Sequence, residues 1–161
     1  MKKFVFTQII PYCVTLRQPI RHFTYNTTLF SLVQCCHHPH IIRRQAFMSM
    51  LIPQWQSVRQ QCADLAAANG HAVTLIAVSK TFPAADIRTL YEAGQRDFGE
   101  NYIQEWQQKC TELADLDDLA WHIIGQIQAN KSRSVAERAH WVHTVDRAKI
   151  ARRLSEQRPD T

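Results

Sequence analysis

The feature that most constrains the fold is an alternation of helical and strand-type hydrophobic patterns over residues 50–161. Apolar residues recur at helical spacing from Leu51 to Leu65, and a short run rich in β-branched residues follows at 73–78. Such a run is typical of a strand buried on both faces. Because the pair of patterns repeats along the chain, we predict an α/β fold with a parallel sheet.

Capping and turn residues bound the predicted elements. Asn69-Gly70 ends the first helix, Pro83 suits the first turn of the second, and Asp146 suits the N-cap of the last. We predict the remaining strands at 96–98, 119–124 and 141–145, each followed by a helix.

Two architectures fit this order: an open doubly wound sheet and part of a closed barrel. The first predicted strand lacks the Gly-x-Gly-x-x-Gly motif that a dinucleotide-binding open sheet carries. Four strand–helix units are half of the eight that close a (β/α)8 TIM-type barrel of about 250 residues. We therefore expect residues 48–161 to be the N-terminal half of such a barrel, with the C-terminal half missing.

Charge divides the chain near residue 48. Residues 1–50 hold six of the 19 basic residues and no acidic residue, so the rest of the chain holds the other 13 basic residues and all 14 acidic ones. The segment 1–47 shows neither helical periodicity nor clean alternation. It fits a secretory signal, an organellar presequence, or non-native sequence upstream of a start at Met48 or Met50. We favour the last reading and expect a disordered or non-native extension.

Composition also limits the partners. The sequence has no apolar run of the roughly 20 residues that a membrane span needs. Its basic surplus belongs to the extension, so we expect neither a nucleic-acid nor a membrane partner. The cluster at 35–40, CCHHPH, lacks the spacing of paired metal ligands, so we expect no metal site. Unpaired cysteines and the absence of a clear export signal make the cytoplasm the expected location.

Polar residues lie at or just past the ends of the predicted strands, with His122 slightly inside its strand, and these residues are the candidates for a site: Lys80, Asn101, His122 and Asp146. In a barrel the carboxyl ends of the strands meet on the face that holds active sites. A lysine directly after a buried strand can form a Schiff base with an aldehyde. From position alone, structural roles are favoured over functional ones: a solvated loop lysine for Lys80, a helix cap for Asn101 and an interior histidine for His122.

Four strings carry a resemblance to a known family: AVSKT at 77–81, FGENY at 98–102, WHIIGQIQANK at 121–131 and HTVD at 143–146. In this order and spacing they resemble the pyridoxal phosphate homeostasis proteins. These proteins are single-barrel relatives of the N-terminal domain of alanine racemase. The resemblance covers roughly residues 50–158, and one conservative departure is Ile127, where leucine is usual.

The resemblance implies a cofactor and a set of binding residues. It implies that Lys80 holds pyridoxal 5'-phosphate as a Schiff base, and that Asn101, His122 and Asn130 line or support the cofactor site. It implies a protein that buffers or delivers the cofactor without established catalysis. In the family, loops late in the barrel hold the cofactor phosphate, and nothing after Thr161 supplies them here. We therefore expect weak cofactor binding or none.

Three other functions remain open. A racemase-like enzyme could use Lys80 as a base, although the chain shows no evident second acid or base for the opposite face of the cofactor. The basic extension could bind a nucleic acid or a membrane surface. The chain could also be an inert truncated fragment. We expect a monomer if the barrel is complete and an aggregation-prone chain if it is a half barrel with open edges.

Overall fold

The computed structural model describes the backbone of residues 4–9 and 41–159 and the side chains of residues 49–159. Within these ranges one five-stranded sheet forms, and neighbouring strands pair in parallel and in chain order. The strands are β1 (Phe4–Ile9), β2 (Val73–Val78), β3 (Asp97–Glu100), β4 (Ala120–Ile123) and β5 (Trp141–Val142). The predicted α/β fold with a parallel sheet is confirmed.

Five α-helices accompany the strands: α1 (Ile41–Asn69), α2 (Ala84–Glu92), α3 (Ile103–Glu112), α4 (Ser132–Arg138) and α5 (Ala148–Gln157). A short 3-10 helix (Ala129–Lys131) precedes α4. No described helix is both long enough and apolar enough to cross a bilayer.

The strands predicted at 96–98 and 119–124 shift by one or two residues at their ends, and larger differences occur around β5 and α5. The strand predicted at 141–145 spans only Trp141–Val142. The prediction of Asp146 as an N-cap is wrong, because Arg147 is still extended (φ −143°, ψ 139°) and occupies the N-cap position of α5. The Asp146 carboxylate instead accepts a hydrogen bond from Arg147 Nε at 3.2 Å.

Two parts of the predicted extension have a described backbone. Phe4–Ile9 forms β1 and pairs with β2 along its whole length, a strand that the sequence pattern did not predict. Helix α1 begins upstream of the boundary predicted at residue 48. Residues 1–3 and 10–40, which include the cysteine–histidine cluster at 35–40, lie outside the described residues. The boundary and the reading of 1–47 as disordered or non-native therefore stay predictions.

The core lies between the sheet and the helices. One face of the strands contributes Ala77, Phe98, Trp121 and Ile123 to a single hydrophobic cluster. Helices α1 to α5 add buried residues at helical spacing to the same cluster: Leu51, Trp55, Ile87, Leu90, Ile103, Trp106, Val135 and Ile150. Burial of these apolar faces is the main stabilising contribution, and it fixes where each strand ends relative to its neighbours.

Candidate functional site

The carboxyl ends of β2 and β3 lie side by side. Val78 pairs with Gly99, and the ladder continues beyond β2, because Ser79 N donates a hydrogen bond to Gly99 O at 2.9 Å. Lys80 comes directly after Ser79, and Asn101 comes directly after β3. Two of the predicted site residues therefore follow the carboxyl ends of adjacent strands.

Lys80 lies in a strained turn. Phe82 N donates to Ser79 O at 3.1 Å and closes the turn, while Thr81 has a φ of 66°. A β-branched residue rarely adopts this left-handed conformation, which costs on the order of 1–3 kcal/mol and persists only where the surroundings enforce it. Lys80 is partly buried, and no described residue accepts a hydrogen bond or ion pair from its ammonium group. The turn thus presents an unpaired amine at the sheet edge.

A largely buried set of polar and charged residues, here called the lysine network (Ser79, Glu100, Glu105 and Lys109), adjoins this turn. Lys109 Nζ donates to Glu100 Oε1 at 2.7 Å and to Glu105 Oε1 at 2.6 Å. It also donates to the backbone oxygen of Ser79 at 2.8 Å, and Ser79 Oγ donates to Glu100 Oε1 at 2.7 Å. The side chains of Lys109 and Glu100 are only 5% and 0% exposed.

Within this network, burial is the largest influence on the pKa of Glu100. It raises the pKa of the Glu100 carboxyl, while the hydrogen bond and charge of Lys109 act in the opposite direction. Glu105 is less buried than Glu100, and its Oε1 accepts a further hydrogen bond from Thr81 N at 2.6 Å. The network therefore joins β2, β3 and α3 at the point where the Lys80 turn begins.

Asn101 follows β3 directly and is partly buried. It does not cap α3, because Tyr102 occupies the N-cap position of that helix. The chain after β4 approaches its backbone so closely that a Cβ at Gly125 would overlap the Asn101 carbonyl group. Only glycine fits at residue 125 without a backbone shift, so Asn101 is held tightly between β3 and the end of β4.

His122 belongs to a second polar cluster, here called the histidine network (Asp97, His122 and His143). His122 Nε2 lies 2.9 Å from Asp97 Oδ1, and its Nδ1 lies 2.9 Å from His143 Nε2. The neutral tautomer with hydrogen on Nε2 satisfies both contacts, since it donates to Asp97 and accepts from His143. Burial lowers the pKa of His122, which Asp97 opposes, and burial also lowers the pKa of His143.

His122 is set deeper in the sheet than Lys80 and Asn101. From β4 it pairs with Gly99 of β3, its side chain is 3% exposed, and its ring stacks on Trp141. Both ring nitrogens already have protein partners. A supporting role fits this position better than direct contact with a ligand, and the prediction that His122 binds a cofactor stays a prediction.

Asn130 lies in the 3-10 helix after β4 and is exposed. Lys131 N donates to Gln128 O at 2.9 Å and closes this turn. The segment therefore comes after the carboxyl end of β4, just as Lys80 and Asn101 come after the carboxyl ends of β2 and β3. Whether Asn130 contacts a cofactor stays a prediction.

Sequence reasoning missed most of the lysine network and the partners of His122. One signal was present for Lys109, which lies three residues after Trp106 on a helix face that is otherwise apolar. A charge on such a face indicates a buried partner. No comparable local pattern points to Asp97 or His143, because their contacts with His122 depend on the pairing of three strands.

Comparison with known proteins adds the evidence for a family. No family model matches the chain. Over 100 residues it is 58% identical to the pyridoxal phosphate homeostasis protein of Pseudomonas aeruginosa, covering 62% of this chain and 43% of that protein. The protein of the same name from Vibrio cholerae is 50% identical over 109 residues, covering 66% of this chain and 44% of the relative. The predicted resemblance to this family is confirmed.

Solved structures agree with the sequence relatives. PipY of Synechococcus elongatus, whose structure has PLP bound, matches with a TM-score of 0.59 and 45% identity. The match covers 66% of this chain and 47% of PipY. A protein of unknown function from Bifidobacterium adolescentis, at 23% identity and a TM-score of 0.58, supports the fold alone. The chain spans less than half the length of the curated relatives it matches.

Proposed function

We propose that this chain binds pyridoxal 5'-phosphate and takes part in its homeostasis, with the cofactor held as a Schiff base on Lys80. The observation that carries the proposal is the unpaired amine of Lys80 in a turn at the end of a parallel strand, next to the strand that Asn101 follows. The relatives named for pyridoxal phosphate homeostasis and the structure of PipY with PLP bound support the choice of cofactor.

The residues at this edge fit the aldehyde end of the cofactor. The bound cofactor would supply an aldehyde, a group that condenses with a primary amine. Lys80 would provide that amine, and Asn101 would provide an amide that both donates and accepts hydrogen bonds. His122 would support the strand beneath them through Asp97, and Asn130 would provide a second amide after β4.

We infer that the sheet belongs to a (β/α)8 barrel of the alanine racemase N-terminal type. Its strands follow one another in chain order, whereas a doubly wound sheet reverses its order at a switch point. Because the carboxyl ends of barrel strands carry the active site, this architecture supports a cofactor site at Lys80. The cytoplasm and a monomeric state remain our predictions for the whole protein.

The test is a titration of the full chain with pyridoxal 5'-phosphate, followed by borohydride reduction and peptide mapping. We expect a visible absorption band and one reduced adduct, on Lys80. Lys80→Ala should abolish both, and Lys131→Ala, which changes another partly buried lysine after a strand, should leave both in place.

Two results would contradict the proposal. One is unchanged binding by Lys80→Ala, and the other is an adduct spread evenly over the lysines. The racemase-like alternative would require turnover of either enantiomer of alanine by the loaded chain, which the same preparation can measure.

A further inference from the structure

The backbone on both sides of Lys80 is bonded to one ion pair. Lys109 Nζ donates to the carbonyl oxygen of Ser79 at 2.8 Å. Glu105 Oε1 accepts from the amide of Thr81 at 2.6 Å. The two side chains bind each other at 2.6 Å, one helical turn apart on α3. A single pair on α3 thus fixes the residues immediately before and after Lys80.

The turn needs such a restraint. Thr81 has a φ of 66°, in a region that a β-branched residue avoids unless neighbouring groups enforce it. The amide of Thr81 points at a carboxylate, and a hydrogen bond to a charged acceptor is among the stronger ones in proteins. Glu105 therefore supplies the contact that keeps this residue in the left-handed region.

Stability alone does not explain a buried ammonium group at this position. Lys109 and Glu100 are almost fully buried, and a buried ion pair of this kind is often no more stabilising than apolar residues of similar volume. What the charged groups provide is directionality, since hydrogen bonds hold the Ser79 carbonyl and the Thr81 amide at defined positions. An apolar contact would not fix either group.

We propose that Glu105, supported by Lys109, is a positioning residue that sets the direction of the Lys80 side chain. This inference rests on the proposed role of Lys80. Glu105 does not touch the cofactor; it acts through the backbone of residues 79–81. The amine would then approach the cofactor aldehyde in a restricted range of orientations, so less conformational entropy would be lost when the two groups react.

The test compares Glu105→Ala with Glu105→Gln and Glu112→Ala in the full chain. Alanine removes the acceptor for Thr81, whereas glutamine keeps an acceptor oxygen and should restore part of the effect. Glu112 is a matched control, because it is an acidic residue on the same helix and accepts its hydrogen bond from Gln108 Nε2. Far-ultraviolet circular dichroism and thermal melting check that each variant is folded.

Two readouts separate positioning from general stability. The first is amide hydrogen exchange of residues 79–82 without cofactor, which should become about tenfold faster in Glu105→Ala because one hydrogen bond to a charged acceptor is lost. The second is the rate at which pyridoxal 5'-phosphate modifies Lys80, trapped with borohydride. We expect the rate at saturating cofactor to fall about tenfold while the half-saturating concentration stays nearly constant.

Each outcome decides the inference. Faster exchange with a lower saturating rate in Glu105→Ala, partial recovery in Glu105→Gln and no change in Glu112→Ala would support it. An unchanged saturating rate in a folded Glu105→Ala would overturn it, whatever the exchange rate. If the unmodified chain forms no adduct on Lys80, the proposed function fails and this inference fails with it. If the unmodified chain forms the adduct and Glu105→Ala forms it at the same saturating rate, only this inference fails.

Discussion

The lysine network and the histidine network both hold ionisable side chains in buried positions, and they stabilise them in different ways. Strand β3 contributes a carboxylate to each, Glu100 to the first and Asp97 to the second. These residues are three positions apart, so in a strand they point to opposite faces. Glu100 lies on the helix-covered face and meets the ammonium group of Lys109. Asp97 lies on the other face and meets an imidazole.

The difference shows how burial acts on charge. Burial raises the pKa of Glu100 and lowers the pKa of His122, so in both places it disfavours the charged form. In the lysine network an opposite charge offsets this cost. In the histidine network a neutral tautomer satisfies both hydrogen bonds. We therefore expect the free energy of unfolding to depend on the lysine network mainly through its cation, and on the histidine network through the pH near neutrality.

Removing the cation from the lysine network should have the largest effect. Lys109→Met keeps most of the side-chain volume and leaves the buried Glu100 carboxylate without its cation, so we expect a loss of about 3–5 kcal/mol in the free energy of unfolding at neutral pH. Urea denaturation measures it, with Lys149→Met on the exposed face of α5 as the control.

The pH dependence of Lys109→Met sharpens this prediction. Burial raises the folded-state pKa of Glu100 above its unfolded value, and Lys109 opposes this rise. Removing Lys109 should therefore raise that pKa further, so the folded variant takes up a proton at a higher pH than the folded unmodified chain. The deficit of Lys109→Met relative to the unmodified chain should therefore shrink at acid pH. An equal deficit at both pH values would mean that lost packing, not the unpaired carboxylate, is its cause.

Removing the imidazole from the histidine network should have a smaller effect. His122→Leu leaves Asp97 without a donor, but the side chain of Asp97 is 29% exposed and water can replace the lost hydrogen bond. We expect a loss of about 1–3 kcal/mol in the free energy of unfolding. A loss as large as that of Lys109→Met would erase the distinction between the two networks.

The pH dependence of the histidine network is the next smaller effect. The pKa of His143 is lower in the folded state than in the unfolded state, so the unfolded state binds the proton more tightly and stability falls as the pH drops below 6.5. The stability difference between the unmodified chain and His143→Leu should therefore decrease between about pH 7.5 and about pH 5.5. Urea midpoints at the two pH values measure it, and a constant difference would contradict the prediction.

An exposed ion pair should matter least. Arg88 forms a bidentate salt bridge with Asp115 on the surface between α2 and the end of α3, in which Nη1 and Nη2 donate to the two carboxylate oxygens at 2.7 and 2.8 Å. Solvent and salt screen such a pair, so Asp115→Asn should leave the melting temperature unchanged within error. A clear destabilisation would show that this surface contact holds α2 in place.

The order of elements was predictable because the signals are local. A short apolar run identifies β2, the period of 3.6 residues identifies the helices, and the lysine after β2 is visible in the same window. Element ends were less predictable. The strand at 141–145 shortens to two residues and α5 begins after Arg147, since both ends depend on what the backbone meets in the fold.

The sequence by itself determined the α/β order, the place of Lys80 and Asn101 after consecutive strands, and the resemblance to pyridoxal phosphate homeostasis proteins. Only the tertiary structure decided that Phe4–Ile9 pairs with β2, that Thr81 is left-handed and that Lys109 holds the Ser79 carbonyl. The physical reason is distance along the chain. Hydrophobic periods repeat within one element, whereas the contact from Lys109 to Ser79 spans 30 residues and exists only because packing of α3 on the sheet brings the two together.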